Sequence, residues 1–214
     1  MKTLFWAVDC QKDFILNSGA LAIKGAEELR LNLKLLTEIS QKYGIIVVNT
    51  GDYHNDLSSE LSDTPDFQTT FPKHCIMGTV GSEFIEEVMP RLVDRTFYVA
   101  PNYAGIVNSN SIIGAKNIVI YKDTLDVFKD GTCAKDVLEF IGPDMVIVYG
   151  VATNMCVNYA VQGLVENGRR VTVVVDAIKE LPNIPIVDII HDWKSKGVKL
   201  VLTENIEKIL KSGE

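Results

Sequence analysis

The sequence predicts an α/β fold in which helices cover both faces of a parallel sheet. Apolar runs of strand length alternate along the chain with segments whose apolar residues recur at helical spacing. Such alternation implies right-handed crossovers between parallel neighbours. With 214 residues, 47% of them hydrophobic, the chain can bury a substantial core. No internal repeat, linker or low-complexity segment divides it, so we expect one domain over residues 1–214.

Seven short apolar runs are predicted as strands, and the run at 171–176 is the most strand-like because valine dominates it. In chain order they are Thr3–Cys10, Ile45–Thr50, Phe97–Ala100, Ile118–Tyr121, Met145–Gly150, Val171–Asp176 and Lys199–Leu202. Five segments are predicted as helices from their apolar spacing, and Gly44 is a stop signal after the first. They are Gly25–Tyr43, Glu83–Leu92, Lys135–Phe140, Asn154–Asn167 and Pro185–Lys196.

Composition and charge argue against several classes of function. The formal net charge is −7 and there is no basic stripe, which disfavours nucleic acid and anionic membranes as partners. The longest apolar runs are only as long as strands, so we expect no membrane span. The first run reaches Asp9 too early for a secretory signal, and we expect a cytoplasmic protein. The four cysteines form no Cys-x-x-Cys pair and are expected to be free thiols.

Residues with catalytic potential follow four of the predicted strands. They are Asp9, Asp52, Lys122 and Cys156. The carboxyl ends of parallel strands share one edge of the sheet, and ligands bind there. Cys156 also lies between a strand and a helix, where free N–H groups and the helix field favour a thiolate. The sequence therefore predicts a nucleophilic cysteine at this edge.

The base that activates this thiol is expected to be a carboxylate. The chain has three histidines, two in a long polar loop and one in a late helix, so a Cys–His pair is not favoured. We predict that Asp9 accepts the Cys156 proton and that Lys122 stabilises both anions. Three other thiols remain candidates for the nucleophile, namely Cys10, Cys75 and Cys133.

The long polar loop at 51–81 combines histidines with carboxylates. Loops of this length in compact domains are commonly functional or disordered. Two ligands that are two residues apart in an extended segment face the same side, and one glutamate and one more histidine complete a mixed set. The set is Asp52, His54, Glu60 and His74. It suits zinc, iron or manganese, and Asp56 and Asp63 remain alternatives to Glu60.

Short motifs follow one another from residue 3 to about residue 178. They are Asp9-x-Gln11-x-Asp13-Phe14, Gly19-Ala-Leu-Ala22, Asp52-x-His54, Thr64-Pro-Asp66, Pro72-Lys-His74-Cys75, Gly78-Thr79, Lys122-x-x-x-Asp126-x-Phe128 and Gly150-Val-Ala-Thr-Asn-x-Cys156-Val. Each motif alone is weak, but the ordered set is specific. The chain thereby resembles the isochorismatase-like cysteine hydrolases, and among them the nicotinamidases.

This resemblance implies a three-layer α/β/α sandwich with a six-stranded, mainly parallel sheet, in a homo-oligomer. It implies an Asp9–Lys122–Cys156 triad and an oxyanion hole formed by the N–H groups of Ala152 and Cys156, aimed by a cis peptide after Val151. It also implies substrate contacts from four residues, Phe14, Leu21, Phe71 and Ala152. Glu60 stands where many nicotinamidases have a third histidine, and Phe71 where tryptophan is frequent.

The implied activity is hydrolysis of nicotinamide to nicotinate and ammonia through a thioester, in NAD salvage. The implied cofactor is one divalent metal, with zinc preferred and iron or manganese as alternatives, and pyrazinamide is a further candidate substrate. Rival hypotheses are a related amidohydrolase for carbamoyl or ureido compounds and a non-catalytic ligand-binding or redox-sensing module. A nucleotide-binding protein is disfavoured because no glycine-rich loop follows the first strand. The segment 91–117 is longer than the resemblance leads us to expect, and we interpret it as an insertion.

Overall fold

The computed structural model describes residues 1–91, 93–101, 112–129, 132–182 and 184–213. Seven strands are present among them: β1 (Thr3–Val8), β2 (Ile46–Asp52), β3 (Thr96–Val99), β4 (Asn117–Lys122), β5 (Met145–Val151), β6 (Arg170–Lys179) and β7 (Lys199–Val201). They form one sheet in the order β3-β4-β2-β1-β5-β6-β7, and every neighbouring pair is parallel. The predicted α/β fold class is therefore confirmed.

Six α-helices connect or follow these strands within the described ranges: α1 (Lys12–Ile15), α2 (Arg30–Tyr43), α3 (Ala134–Ile141), α4 (Cys156–Glu166), α5 (Val187–Ser195) and α6 (Ile206–Ser212). A 3-10 turn, Ala26–Leu29, leads into α2, which ends at Gly44 with φ of 65°. A glycine in this left-handed conformation lets its N–H cap the last carbonyls, as the stop signal predicted. None of the helices in the described ranges is long and apolar enough to cross a bilayer.

The two central strands are covered on both faces. In β5 every residue is buried, and in β1 every residue except Thr3 is at least nine-tenths buried. Side chains alternate between faces, so Phe5 and Trp6 enter different halves of the core. Phe5 meets Tyr149 edge-to-face at 6.0 Å between ring centroids, and Trp6 stacks on Phe128 at 5.5 Å. Helices packed against both faces of the sheet explain the continuous apolar runs in the sequence.

The sheet register brings the predicted catalytic positions together. Val8 pairs with Thr50 on one side and with Gly150 on the other, and Asp52 pairs with Lys122. Because all these strands are parallel, their carboxyl ends form one edge of the sheet. The residues that follow β1 and β5 therefore lie beside the last residues of β2 and β4.

The structure differs from the strand number that the resemblance implies, and from the sequence prediction of helices at residues 83–91, at α1 and at α6. The sheet has seven strands rather than the six that the resemblance implies, and both edge strands are short, with four residues in β3 and three in β7. The helix predicted over Glu83–Leu92 is wrong for residues 83–91. Backbone groups there pair instead with the loop that follows β1. Ile85 N–H donates to Cys10 O at 3.1 Å, and Phe84 forms an isolated antiparallel β-bridge with Gln11.

The C-terminal helix α6 was not predicted; its apolar residues Ile206, Ile209 and Leu210 have helical spacing, but the helix has only seven residues. The interpretation of 91–117 as an insertion falls partly outside the described residues, since 92 and 102–111 are not among them. Its described part contains β3 and the start of β4.

Gly163 in α4 provides a test of how tightly this helix packs on the sheet. A Cβ at this position would lie 2.2 Å from the Phe128 ring, which itself stacks on Trp6. We expect Gly163→Ala to lower the free energy of unfolding by about 1–3 kcal/mol through overpacking. Alanine in an unhindered helix would instead stabilise by about 1 kcal/mol. Urea unfolding would measure the change, and Phe128→Leu combined with Gly163→Ala should destabilise by less than the sum of the two single effects.

Candidate active site

The Lys122 ammonium is the centre of the polar cluster at the sheet edge. It is 2% exposed and lies at the end of β4. Its Nζ is 2.9 Å from Asp9 Oδ2 and 3.5 Å from Cys156 Sγ, and it also forms an ion pair with Asp52 Oδ1. The structure thus brings together the three predicted catalytic residues and one predicted metal ligand.

Asp9 follows β1 in an unusual backbone conformation, with φ of 48°. Few residues other than glycine adopt a positive φ, and such strain is often found at functional sites. Two contacts to Thr50 hold the residue: Asp9 N–H donates to Thr50 O at 3.1 Å, and the Thr50 hydroxyl donates to Asp9 Oδ1 at 2.6 Å. The second carboxylate oxygen is then directed to Lys122.

Burial sets the protonation behaviour of the cluster. It raises the pKa of Asp9, an effect that Asp52 reinforces and that Lys122 and Thr50 oppose. Burial also disfavours the charged form of Asp52, but Lys122 and two histidines outweigh it and hold the Asp52 pKa well below its usual range. For Lys122, the two aspartates outweigh burial and raise the pKa well above its usual value. The two carboxylates therefore differ, and Asp9 is the better base.

Cys156 begins helix α4 and lies beside this base. Burial raises the pKa of its thiol well above the ordinary value, Lys122 opposes this, and Asp9 and Asp52 add to it. The thiol therefore keeps its proton until a base removes it. Within the cluster, one carboxylate oxygen of Asp9 lies within 4.8 Å of the Cys156 sulfur. Asp9 is therefore a candidate to accept the thiol proton when the Cys156 sulfur attacks, once the two atoms come within hydrogen-bond distance.

The turn before Cys156 has the backbone features that the resemblance implies. The peptide between Val151 and Ala152 is cis. Ala152 O accepts hydrogen bonds from Met155 N–H at 3.0 Å and Val157 N–H at 3.1 Å. Because Cys156 is the first residue of α4, its own N–H has no acceptor within the helix. The oxyanion hole itself stays a prediction.

The other three cysteines lack these activating contacts. All four thiols are free, as expected. Burial raises the pKa of Cys10, Cys75 and, to about 12, Cys133. The Cys10 and Cys75 sulfurs approach carbonyl oxygens, at 3.5 Å from Val8 and 4.0 Å from Gly81, and neither contact favours a thiolate. Cys156 is the thiol in contact with a buried cation.

A candidate metal site adjoins the same aspartate. Ligand atoms of Asp52, His54 and His74 all lie within 4.8 Å of one another, and the three residues are buried. Asp52 Oδ2 is 3.8 Å from His54 Nε2 and 3.5 Å from His74 Nε2. Both ring nitrogens of His54 are buried without a hydrogen-bond partner among the described residues. Unpaired buried imidazole atoms beside a carboxylate fit a divalent metal with nitrogen and oxygen ligands.

Backbone contacts orient the second histidine of this set. His74 Nδ1 lies 2.7 Å from Pro72 O, which can only accept a hydrogen bond, so Nδ1 carries the proton. The lone pair of Nε2, which lies 3.5 Å from Asp52 Oδ2, is then free to bind a metal ion that the two atoms could share. Orientation of a ligating imidazole by a backbone carbonyl is a general feature of metal sites.

Glu60 does not belong to the compact three-residue set. Its carboxylate is buried, and one oxygen accepts the N–H of Leu125, while Oε2 has no partner among the described residues. Burial, reinforced by Asp52, raises the Glu60 pKa to about 7. The alternatives Asp56 and Asp63 are exposed, and Asp56 pairs with Lys73 at the surface. A ligand role for Glu60 therefore stays a prediction.

Two residues of the first motif, Gln11 and Asp13, hold the backbone around the cluster, and this role was not predicted from the sequence. The Gln11 amide binds the Asp52 backbone twice, accepting from its N–H and donating to its carbonyl, both at 2.7 Å. Asp13 accepts the N–H of Cys75 at 2.7 Å and of Ala20 at 2.9 Å. These bonds fix the backbone at Asp52 and beside His74. The motif Asp9-x-Gln11-x-Asp13 contained both residues but gave no indication of these distant partners.

A narrow, largely apolar cavity opens beside the thiol. All four predicted substrate-contact residues line it, namely Phe14, Leu21, Phe71 and Ala152. Asp9, Asp52, His74 and Cys156 form its polar side. Five further residues line the cavity and were not predicted from the sequence: Ile23, Leu125, Val151, Met155 and Leu181. An apolar cavity with a nucleophile at one side is typical of a site for a small, largely apolar molecule.

The chain is similar in sequence and in fold to several known proteins. A family model described as Isochorismatase domain matches residues 110–184. A curated nicotinamidase/pyrazinamidase of Mycobacterium tuberculosis is 29% identical over 195 residues, covering 91% of this chain and 95% of that protein. The pyrazinamidase of Pyrococcus horikoshii, solved in complex with zinc, is 22% identical with a TM-score of 0.72 and covers 94% and 99% of the two chains. The N-carbamoylsarcosine amidase of Thermoplasma acidophilum is also 22% identical, with a TM-score of 0.71 and coverage of 95% and 97%. These two structures show the fold.

The candidate metal site can be tested by measuring the metal content of the purified protein. We expect the purified protein to bind one divalent metal ion, and His54→Ala or His74→Ala to weaken binding by more than the roughly 10- to 100-fold typical of losing an outer-shell partner. Metal analysis after dialysis would measure this. The remaining histidine, His191, lies on α5 outside the site, so His191→Ala is the matched control and should keep the metal. Equal metal retention in all three variants would contradict the assignment.

Proposed function

We propose that the chain is an isochorismatase-like hydrolase that converts nicotinamide to nicotinate and ammonia through a thioester on Cys156. The observation that carries this proposal is the buried contact of Lys122 Nζ with both Cys156 Sγ at 3.5 Å and Asp9 Oδ2 at 2.9 Å. It lies at the polar side of the cavity that Phe14 and Phe71 enclose. A base, a cation and a thiol are thereby in reach of one bound carboxamide.

The first half-reaction forms the thioester. Asp9 removes the Cys156 proton as the sulfur attacks the carboxamide carbon, and Lys122 stabilises the anions in the cluster. The N–H groups of Ala152 and Cys156 stabilise the oxyanion, at roughly 3–4 kcal/mol for each donor of this type. The carbon–nitrogen bond then breaks, and the proton held by Asp9 goes to the leaving ammonia.

The second half-reaction restores the thiol. Asp9, again ionised, removes a proton from a water molecule that attacks the thioester carbon. The carbon–sulfur bond breaks, the proton on Asp9 returns to the Cys156 sulfur, and the nicotinic acid that forms loses its own proton to solvent to give nicotinate. The raised pKa of Asp9 makes it a stronger base than an ordinary aspartate, which suits this repeated exchange.

The cavity walls hold the aromatic ring of the substrate. Phe14 and Phe71 both contact the His74 ring, with centroids 5.3 Å and 6.2 Å apart, and Leu21 closes the same space. Flat apolar walls stack on an aromatic ring and leave its substituent free to face Cys156. Pyrazinamide has the same shape and is proposed as a second substrate.

Asp52, His54 and His74 would hold the metal, with Glu60 as a further ligand. Zinc fits this mixed set best, and iron and manganese are the alternatives. When bound, the metal supplies a Lewis acid that orients the ring nitrogen of the substrate. The unpaired His54 nitrogens support this assignment.

The biological setting follows from the proposed reaction. Nicotinate formed from nicotinamide would enter NAD salvage, and we propose a cytoplasmic homo-oligomer built from a single domain over residues 1–214. Nucleic acid and membranes are not among the proposed partners, in keeping with the net charge of −7.

A second candidate is an amidohydrolase for carbamoyl or ureido compounds. We keep this candidate because the same fold serves both activities. The TM-scores are similar, at 0.71 for the N-carbamoylsarcosine amidase and 0.72 for the pyrazinamidase. Both functions would use the triad, but only nicotinamide hydrolysis would need a metal that orients the ring of the substrate. Metal content combined with ammonia release from nicotinamide and from a carbamoyl amino acid distinguishes them. Bound metal without ammonia release from nicotinamide would favour the second candidate.

Replacing the nucleophile tests the proposed reaction. We expect Cys156→Ala to reduce ammonia release from nicotinamide by at least about 10⁴-fold, because no thioester can form, while nicotinamide still binds. Turnover assays with calorimetric binding would measure both. Cys133→Ala changes another buried thiol away from the cavity and is the matched control, which should keep its activity. Normal ammonia release by Cys156→Ala would rule out the proposed nucleophile.

A further inference from the structure

One wall of the cavity belongs to a loop that has an exposed carboxylate at its tip. We name residues 60–71 the wall loop. Its two ends are buried, with Glu60 8% and Phe71 2% exposed. They are joined by hydrogen bonds from Phe71 N–H to Glu60 O at 2.7 Å and from Ser62 N–H to Phe71 O at 2.9 Å. The tip of the wall loop, by contrast, is exposed to solvent.

Asp66 at this tip closes the loop on itself. Its carboxylate accepts three backbone N–H groups, those of Gln68 at 2.9 Å and of Thr69 and Thr70 at 2.8 Å. The hydroxyls of Thr69 and Thr70 also donate to it, at 2.8 Å and 3.0 Å. In return, Asp66 N–H donates to the Thr70 hydroxyl at 3.0 Å. The backbone N–H groups hold the Asp66 pKa well below its usual value, so the carboxylate stays charged.

These bonds end at the residue before Phe71. Thr70 is fixed through its N–H and hydroxyl, and its carbonyl accepts the N–H of Phe67 at 3.0 Å. Phe67 has φ of 56°, an unfavourable conformation for an aromatic residue, and its ring meets Phe71 edge-to-face at 6.5 Å. The closed turn therefore constrains Phe71 through its neighbour in the chain and through a ring contact.

We propose that Asp66 is a positioning residue that holds Phe71 as a preformed aromatic wall and so favours ring-bearing amides. Asp66 does not line the cavity, and it acts through Thr70 and Phe67. The proposal rests on the proposed amidase function, because Phe71 is taken as a contact of the substrate ring. A wall ordered before binding leaves less conformational entropy to be lost when the ring enters.

Three variants separate positioning from general stability. Asp66→Ala removes the acceptor, whereas Asp66→Asn keeps one oxygen for the backbone N–H groups and should restore the turn. Asp63→Ala removes an equal charge from the same loop at an exposed position and is the matched control. Each variant is loaded with metal and assayed for kcat and KM with nicotinamide. Amide hydrogen exchange of residues 66–71 is followed in parallel.

For Asp66→Ala we expect a KM about tenfold higher with a smaller change in kcat, corresponding to about 1.4 kcal/mol of binding free energy, and faster exchange at 66–71. Asp66→Asn and Asp63→Ala should remain close to the unchanged protein. If Asp66→Ala matches Asp63→Ala in both KM and exchange, the proposal is wrong. It is also wrong if kcat falls in proportion to the folded fraction while KM stays constant.

The two proposals can fail independently. If the unchanged protein releases no ammonia from nicotinamide, the proposed function fails, and the exchange rates alone then judge Asp66. Faster exchange at Phe71 in Asp66→Ala but not in Asp63→Ala would still support positioning. Equal exchange in these two variants would overturn it.

Discussion

The rest of the site depends on one buried ammonium group. Lys122 is removed from water, and a cation in such a place is tolerated only when paired anions surround it. Asp9 and Asp52 supply these charges from the ends of β1 and β2, and Cys156 completes the surroundings from the start of α4. The parallel register of four central strands is therefore what makes this burial possible, and it places every reacting group.

This ammonium also joins the two halves of the site. Asp52 directs Oδ1 to Lys122 and Oδ2 to His54 and His74, so the candidate metal ligands and the thiol share one charged neighbour. Burial raises the pKa of Asp9, whereas Lys122 and two histidines outweigh burial at Asp52 and hold its pKa well below the usual range. This difference is why we propose Asp9 as the base and Asp52 as a metal ligand. The two hydrogen bonds between the Gln11 amide and the Asp52 backbone hold Asp52 in this position.

Much of this arrangement could be predicted from the sequence, and the exceptions have physical reasons. Apolar runs and the parallel alternation were sufficient to place Asp9, Asp52, Lys122 and Cys156 on one edge, because strand ends in a parallel sheet converge. The roles of Gln11 and Asp13 could not be predicted from spacing, since their partners lie 41 and 62 residues away. The segment 83–91 was wrongly predicted as a helix because its backbone bonds to a distant loop. The contacts of Phe14, Leu21 and Phe71 came from the resemblance alone.

The central claim is that the sulfur held by Lys122 carries the substrate during turnover. The most direct measurement is mass spectrometry of the protein quenched with acid while it hydrolyses nicotinamide, followed by digestion to locate any modified cysteine. We expect a nicotinoyl group on the peptide that contains Cys156, and none on the peptides of Cys10, Cys75 or Cys133. Ammonia release with an acyl group on a different cysteine, or with water attacking directly and no acyl group under single-turnover conditions, would contradict it.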